Sequence, residues 1–342
     1  MVLIGMLHHR ADPRNVKKAY AYAAVAKAEG VHFFYFTPGK VNVKKQRILG
    51  KVYENGNWHD KEFPYPDVIF NASPPMSDKA ERIVDELSSK IPFTSHSIGN
   101  KLSVHNRIVS GKEFEPYVIP TYNLTSDHDC LAMIQKHSKI IIKPVSGHQG
   151  DGIAFIEENG KNQYKINDQG KESIVNKQGL LDFLSSKMQE HSYLVQPFIS
   201  CKIKSGHVYD FRLHVQKNGE GKWVITSIYP RIGPLGTITS NMGSGGYSAF
   251  TDKFLQAEFD DSWYDIQRQL EWFALNFPSH FESLYKNDSF DELGIDVGID
   301  QKRKLWIFEV NWRPGPPNIF NLELDVARNT IHYAAYLAKN NR

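Results

Sequence analysis

No stretch of this sequence approaches the ~20 consecutive apolar residues needed to cross a bilayer, so no membrane partner is expected. Residues 2–7 are apolar, but the run is too short for a signal core and no basic segment precedes it; it reads as a first buried strand. Cysteine is scarce. Cys130 and Cys201 lie far apart without metal-ligand spacing, which excludes a disulfide framework and suits a reducing cytoplasm. An excess of one charge is also missing: the net charge is +3 over 342 residues, with Lys and Arg dispersed, so nothing marks a nucleic-acid partner. There is no Gly-x-Ser-x-Gly elbow, no Gly-Lys-Ser/Thr phosphate loop and no repeat, and His8-His9 fit no metal spacing. What remains is a globular chain, 41% hydrophobic and 23% charged, long enough for two or three lobes.

Residues 1–95 alternate strand and helix signals: strands at 2–7, 31–36 and 67–70, helices at 16–29 and 78–89, and a hairpin turning at Asn55-Gly56. That alternation predicts an α/β layer with a mainly parallel sheet. A polar helix within 94–111 carries Lys101. A second unit, 96–199, has helices at 127–137 and 177–190, strands at 139–144, 152–156 and 193–199, and a hairpin at 163–176. A third, 200–342, has strands at 208–217 and 222–231, a Gly-rich turn at 239–247, one long helix near 260–285, a hairpin carrying Asp296 and Glu309, and a last helix at 319–339. The fold class is α/β (α+β).

Residues 304–315, Lys-Leu-Trp-Ile-Phe-Glu-Val-Asn-Trp-Arg-Pro-Gly, put Glu309 and Asn311 two apart in an apolar strand. Side chains two apart share a face. Strict alternation therefore sends Trp306, Phe308, Val310 and Trp312 to the core and groups Leu305 and Ile307 with Glu309 and Asn311. If the run around Asp296 pairs with this strand, Asp296, Glu309 and Asn311 converge, and such oxygen donors suit Mg²⁺ held against phosphates. A strand pair with solvated polar residues fits the same letters. Lys143 ends an apolar strand ahead of a loop with Ser146, Gly147, Gly150 and Gly152. A lysine there reaches phosphate as a point charge, and exposed loop N–H groups can wrap polyphosphate; a plain turn explains the loop equally well. In residues 209–215, Asp210, Arg212 and His214 share one strand face. Arg212 has the form of a phosphate or carboxylate clamp, with Arg231 ending the next strand, and the alternative is a solvated cross-strand Asp–Arg pair. Asn241 sits in the Gly-rich turn, beside a phosphate or in a plain connection.

The order of these elements resembles the ATP-grasp superfamily over roughly residues 95–340, and residues 210–217, 223–226, 231–233 and 238–241 resemble its YheC/YheD group of spore-coat-associated proteins. The resemblance implies an ATP-grasp fold: an N-terminal α/β pre-ATP-grasp lobe (1–95), a central subdomain with a glycine lid (96–199) and a C-terminal subdomain with the metal and phosphate site (200–342). It implies ATP and Mg²⁺ as cofactors. Lys101 and Lys143 then contact phosphates, and Ser146, Gly147, Gly150 and Gly152 form the covering loop. Gln196, Phe198 and Ile199 belong to the hinge that reads adenine. Asp296, Glu309 and Asn311 ligate the metal, while Arg212, Arg231 and Asn241 stand at the reacting centre. Pro197 replaces the hinge acid of many relatives, and Lys202 and Lys204 occupy the region of the ribose-binding acid. The implied activity is an ADP-forming ligation of a carboxylate to an amine through an acyl-phosphate, on a small-molecule or peptide substrate. The alternatives are a spore-coat structural or assembly protein that binds nucleotide, and a small-molecule kinase. The expected location is the cytoplasm, with spore association as a variant.

Overall fold

The computed structural model describes residues 1–147, 151–240, 245–286, 288–315, 317 and 322–340. Its N-terminal part runs β1 (Leu3–Leu7), α1 (Lys17–Ala28), β2 (His32–Phe36), β3 (Val41–Asn42), β4 (Arg47–Glu54), β5 (Asn57–Pro64), β6 (Val68–Asn71) and α2 (Asp78–Ser88). β1 lies between β2 and β6, parallel to both, and Ile4, Met6 and Leu7 are buried because both of its edges and both of its faces are covered. The sheet is less parallel than the alternation predicts: the Asn55-Gly56 hairpin joins the same sheet, with β4 antiparallel to β2, β3 and β5.

α3 (Lys101–Gly111) begins at the Asn100 cap, whose side chain accepts from Ser103 N at 2.9 Å; residues 94–100 are not helical, so Lys101 is the first helical residue. The second sheet is wholly antiparallel. It is built from β7 (Tyr122–Leu124), β8 (Lys139–Pro144), β9 (Ala154–Glu158), β10 (Gln163–Asp168), β11 (Lys171–Asn176) and β12 (Tyr193–Pro197), in the order β11-β10-β9-β8-β12-β7. α4 (Asp127–His137), opened by the Ser126/Asp129 capping box, and α5 (Lys177–Glu190) bury Ile134, Leu180 and Leu184 against it.

The third sheet is antiparallel in the order β15-β14-β13-β16-β17, from β13 (Tyr209–Lys217), β14 (Trp223–Ile232), β15 (Tyr247–Ser248), β16 (Glu292–Ile299) and β17 (Leu305–Asn311). The long helix expected near 260–285 is α7 (Trp263–Ser283); a further helix, α6 (Thr251–Phe259), precedes it, set apart where Asp260 takes φ +47°. α8 (Glu323–Asn340) closes the described chain. The hydrophobic cores do not follow chain order. Val104 and Ile108 of α3 pack into the core of the third sheet, and Ala327, Ile331, Ala334 and Ala338 of α8 complete the core under β1. Among the described residues no helix is long and apolar enough to cross a membrane.

Candidate functional site

Strand register builds the centre of the site. Asp210 on β13 stands opposite Arg231 on β14, and Arg212 on β13 opposite Asp296 on β16. Phe211, Leu213 and Val215 point the other way, fully buried. Arg212 Nε donates to Asp296 Oδ1 at 2.5 Å and its Nη2 to Oδ2 at 3.2 Å. Arg231 grips Asp210 with Nε and Nη2 at 2.7 and 2.6 Å, and the same Nη2 lies 3.0 Å from Asp296 Oδ2. Burial pushes the Asp296 carboxyl upward, but the Arg231 and Arg212 charges overcome it and hold its pKa below the usual carboxylate range. Burial likewise disfavours the Arg231 cation, and Asp296 and Asp210 more than offset it, so the guanidinium stays charged. This is no solvated surface pair.

Glu309 and Asn311 reach the site through a β-bulge. Asp296 pairs with Glu309 but Val297 pairs with Ile307, which leaves Phe308 as the extra residue. Strict alternation therefore fails. Leu305 and Ile307 are buried in the core before the bulge and Val310 after it, while Glu309 and Asn311 face the cleft. Asn311 Nδ2 approaches Glu309 Oε2 at 3.4 Å. Lys101 Nζ lies 3.3 Å from Glu309 Oε1 and donates to the Gly147 carbonyl at 2.5 Å. Lys143 Nζ is 3.5 Å from the Phe308 carbonyl. Burial lowers the Lys143 pKa to about 8; Glu309 opposes that shift and Lys101 adds to it.

These groups border a cavity of about 500 Å³ that also touches Gln196, Pro197, Phe198 and Ile199 at the end of β12. A second cavity, of about 400 Å³, meets it at Lys101 and Lys143 and includes Ser146. Gln196 Nε2 donates to Thr121 Oγ1 at 2.5 Å, and the Phe198 N–H is already given to the Lys139 carbonyl at 2.9 Å. Gly152 has φ +74°, and a Cβ there would come within 2.7 Å of Pro144 Cγ, so only glycine fits. Lys204 turns away to Asp260 at 2.8 Å. Gly150 and Asn241 lie outside the described residues.

Sequence reading missed Arg313, two residues beyond Asn311 and bordering the larger cavity; its one signal was a cation inside the Asn-Trp-Arg-Pro-Gly run. It also missed the buried His214–Glu292 pair at 2.6 Å.

Among the described residues no three His, Cys, Asp or Glu side chains cluster as a metal site. Both Asp296 oxygens are gripped by guanidinium groups; Glu309, whose Oε1 pairs with Lys101 Nζ at 3.3 Å, and Asn311 border the cavity with a carboxylate and an amide oxygen. That pair fits Mg²⁺, which commonly takes one or two carboxylates and completes its shell with phosphate oxygens and water.

The family model described as YheC/D-like ATP-grasp matches residues 90–337. This chain belongs to the YheC/D-like ATP-grasp family. A relative within it, endospore coat-associated protein YheD of Bacillus subtilis (strain 168), is 28% identical over 91% of this chain and 71% of its own length. The fold is shared with N5-carboxyaminoimidazole synthetase from Staphylococcus aureus, solved with ADP: TM-score 0.57, 11% identity, covering 97% of this chain and 77% of that one. D-alanyl-alanine synthetase A from Vibrio cholerae superposes at TM-score 0.55 with 13% identity, over 99% of this chain and 98% of that one. As a member of the YheC/D-like family the chain has an ATP-grasp fold, and its structural neighbours are ligases.

Proposed function

We propose that this protein is a Mg²⁺-dependent ligase that uses ATP to join a carboxylate to an amine through an acyl-phosphate. The observation that carries this reading is the meeting, around one cavity, of Lys101, Lys143, the buried Arg212 and Arg231, and the Glu309–Asn311 pair. Phosphoryl transfer asks for positioning and charge neutralisation rather than a protein nucleophile. Lys101 and Lys143 hold the nucleotide phosphates. Glu309 and Asn311 hold Mg²⁺, which when bound supplies further positive charge to the phosphate oxygens. Arg212 and Arg231, kept charged by Asp296 and Asp210, face the transferred group. A carboxylate oxygen bonds to the γ-phosphorus as the bond to the ADP oxygen breaks. The amine nitrogen then attacks the acyl carbon, loses a proton, and inorganic phosphate leaves. Lys101 tethers the start of the glycine loop at Gly147, which favours a lid that keeps water from the acyl-phosphate.

Incubation with Mg·ATP and pooled amino acids and peptides should release ADP and inorganic phosphate only when carboxylate and amine are both present. Arg212→Ala should cut that rate by roughly 10²–10³ while ATP still binds, the scale of a lost charge-stabilising donor. Phosphate retained on a stable product would make the protein a kinase. Tight ATP binding without turnover across the pools would favour a second reading, supported by the likeness to a protein named for coat association: a spore-associated nucleotide binder without catalysis.

A further inference from the structure

Arg313 carries a shielded charge with no counter-ion in contact among the described residues. Its Nε donates to the Asn71 carbonyl at 3.0 Å, and the Trp312 ring centroid lies 3.5 Å from its guanidinium carbon. Among the described residues neither Nη1 nor Nη2 has a hydrogen-bond partner, and neither touches solvent. A dry, unpaired guanidinium is costly to keep. An anion offering two coplanar oxygens would offset that cost, because the free fork matches a carboxylate.

The surroundings favour such a ligand. Asn71 ends β6 and His8 follows β1, and the chain leaves β1 for β2 on one side while β6 lies on the other. In open α/β sheets the carboxyl ends of strands at such a switch point form the binding crevice. Burial lowers the His8 pKa to about 3, and the neighbouring charges that add to this are all cationic: His9, Lys18, Arg10 and Arg313. The Arg10 N–H donates to His8 Nδ1 at 3.0 Å, so the neutral ring keeps its proton on Nε2, a donor. The cavity that Arg313 borders is shared with the reacting centre, and Pro314 packs over Gly294 beside Arg212, where an added Cβ would meet Pro314 Cβ at 2.6 Å and Arg212 Nη1 at 3.1 Å.

We propose that Arg313, held at the carboxyl end of β6 beside the larger cavity, binds a carboxylate carried by the amine acceptor, which makes the acceptor an amino acid or peptide rather than a simple amine. The assignment rests on the ligase reading and narrows its substrate class.

The test uses the full chain saturated with Mg²⁺ and a non-hydrolysable ATP analogue, titrated with glycine, triglycine, acetate and methylamine by thermal shift and calorimetry. Glycine and acetate should bind and methylamine should not; triglycine binding as well would extend the site to peptides, and its failure to bind would restrict it to free amino acids. Arg313→Met should weaken glycine at least tenfold and Arg313→Lys less. Both should leave nucleotide affinity within twofold, and Arg313→Met should be no less stable than wild type, since an unpaired buried charge has become apolar. Equal glycine binding by wild type and Arg313→Met, or methylamine binding as tightly as glycine, would overturn the assignment. If the Met variant does not fold, undiminished glycine binding by Arg313→Lys overturns it. Nucleotide binding without carboxylate binding sinks this site alone, whereas failure of wild type to bind nucleotide sinks the ligase reading beneath it.

Discussion

Raising the pH from 7 to 9 should cost the wild-type protein about tenfold in Mg·ATP affinity, because Lys143 begins the titration early. Its folded pKa is lowered to about 8, first by burial. A group with that pKa is about nine-tenths charged at pH 7 and about one-tenth charged at pH 9, whereas an ordinary lysine, near 10.4, stays charged across the window. Phosphate contact favours the ammonium and so raises the pKa in the complex. The sign follows: binding at pH 9 must take up about one proton, and affinity falls as pH rises through 8. Calorimetry at pH 7, 8 and 9, in two buffers of different ionisation enthalpy, reads both affinity and proton uptake. Lys143→Arg keeps the charge throughout and should bind with a flat profile. Wild-type affinity that stays level to pH 9 without proton uptake, or an arginine variant that falls as steeply, would refute the phosphate role of Lys143.

Two further outcomes follow from the same cleft. Glu309→Gln and Asn311→Leu should each remove most of the Mg²⁺-dependent part of ATP affinity and leave metal-free ATP binding nearly unchanged; equal Mg·ATP affinity in variant and wild type by calorimetry would break the metal assignment. Asp296→Asn removes the charge shared by Arg212 and Arg231 and should destabilise the fold by ~3–5 kcal/mol in urea unfolding, the scale of breaking a buried ion pair; a loss under 1 kcal/mol would show that these guanidiniums find other partners.

Much of this fold is legible in the sequence because its elements are locally consistent. The helix at 127–137 is announced by Ser126 and Asp129, and strand 139–144 by β-branched residues between polar ends. The alternation in β13 separates Asp210 and Arg212 from Phe211 and Leu213 without ambiguity. Illegible features arise where one extra residue or a distant partner decides. Nothing in Trp-Ile-Phe-Glu marks Phe308 as a bulge, because a bulge is set by the partner strand's register, so the faces of Leu305 and Ile307 were misassigned. The Asp–Arg tetrad was visible as residue types but not as a dry network, since burial comes from neighbouring elements. Arg313 was overlooked because its isolation depends on Asn71, 242 positions away.

The docking of α8 beneath β1 also sets an order of assembly. Ala327, Ile331, Ala334 and Ala338 share a core with Ile4, Met6 and Phe70. During synthesis, at ~5–20 residues per second, the first sheet waits tens of seconds for the last helix before that core can close. Until then an apolar flank of the lobe built from residues 1–95 stays open to wrong partners. A chain cut a few turns before residue 340 would therefore lose the lobe built from residues 1–95 while the two later sheets keep their own cores.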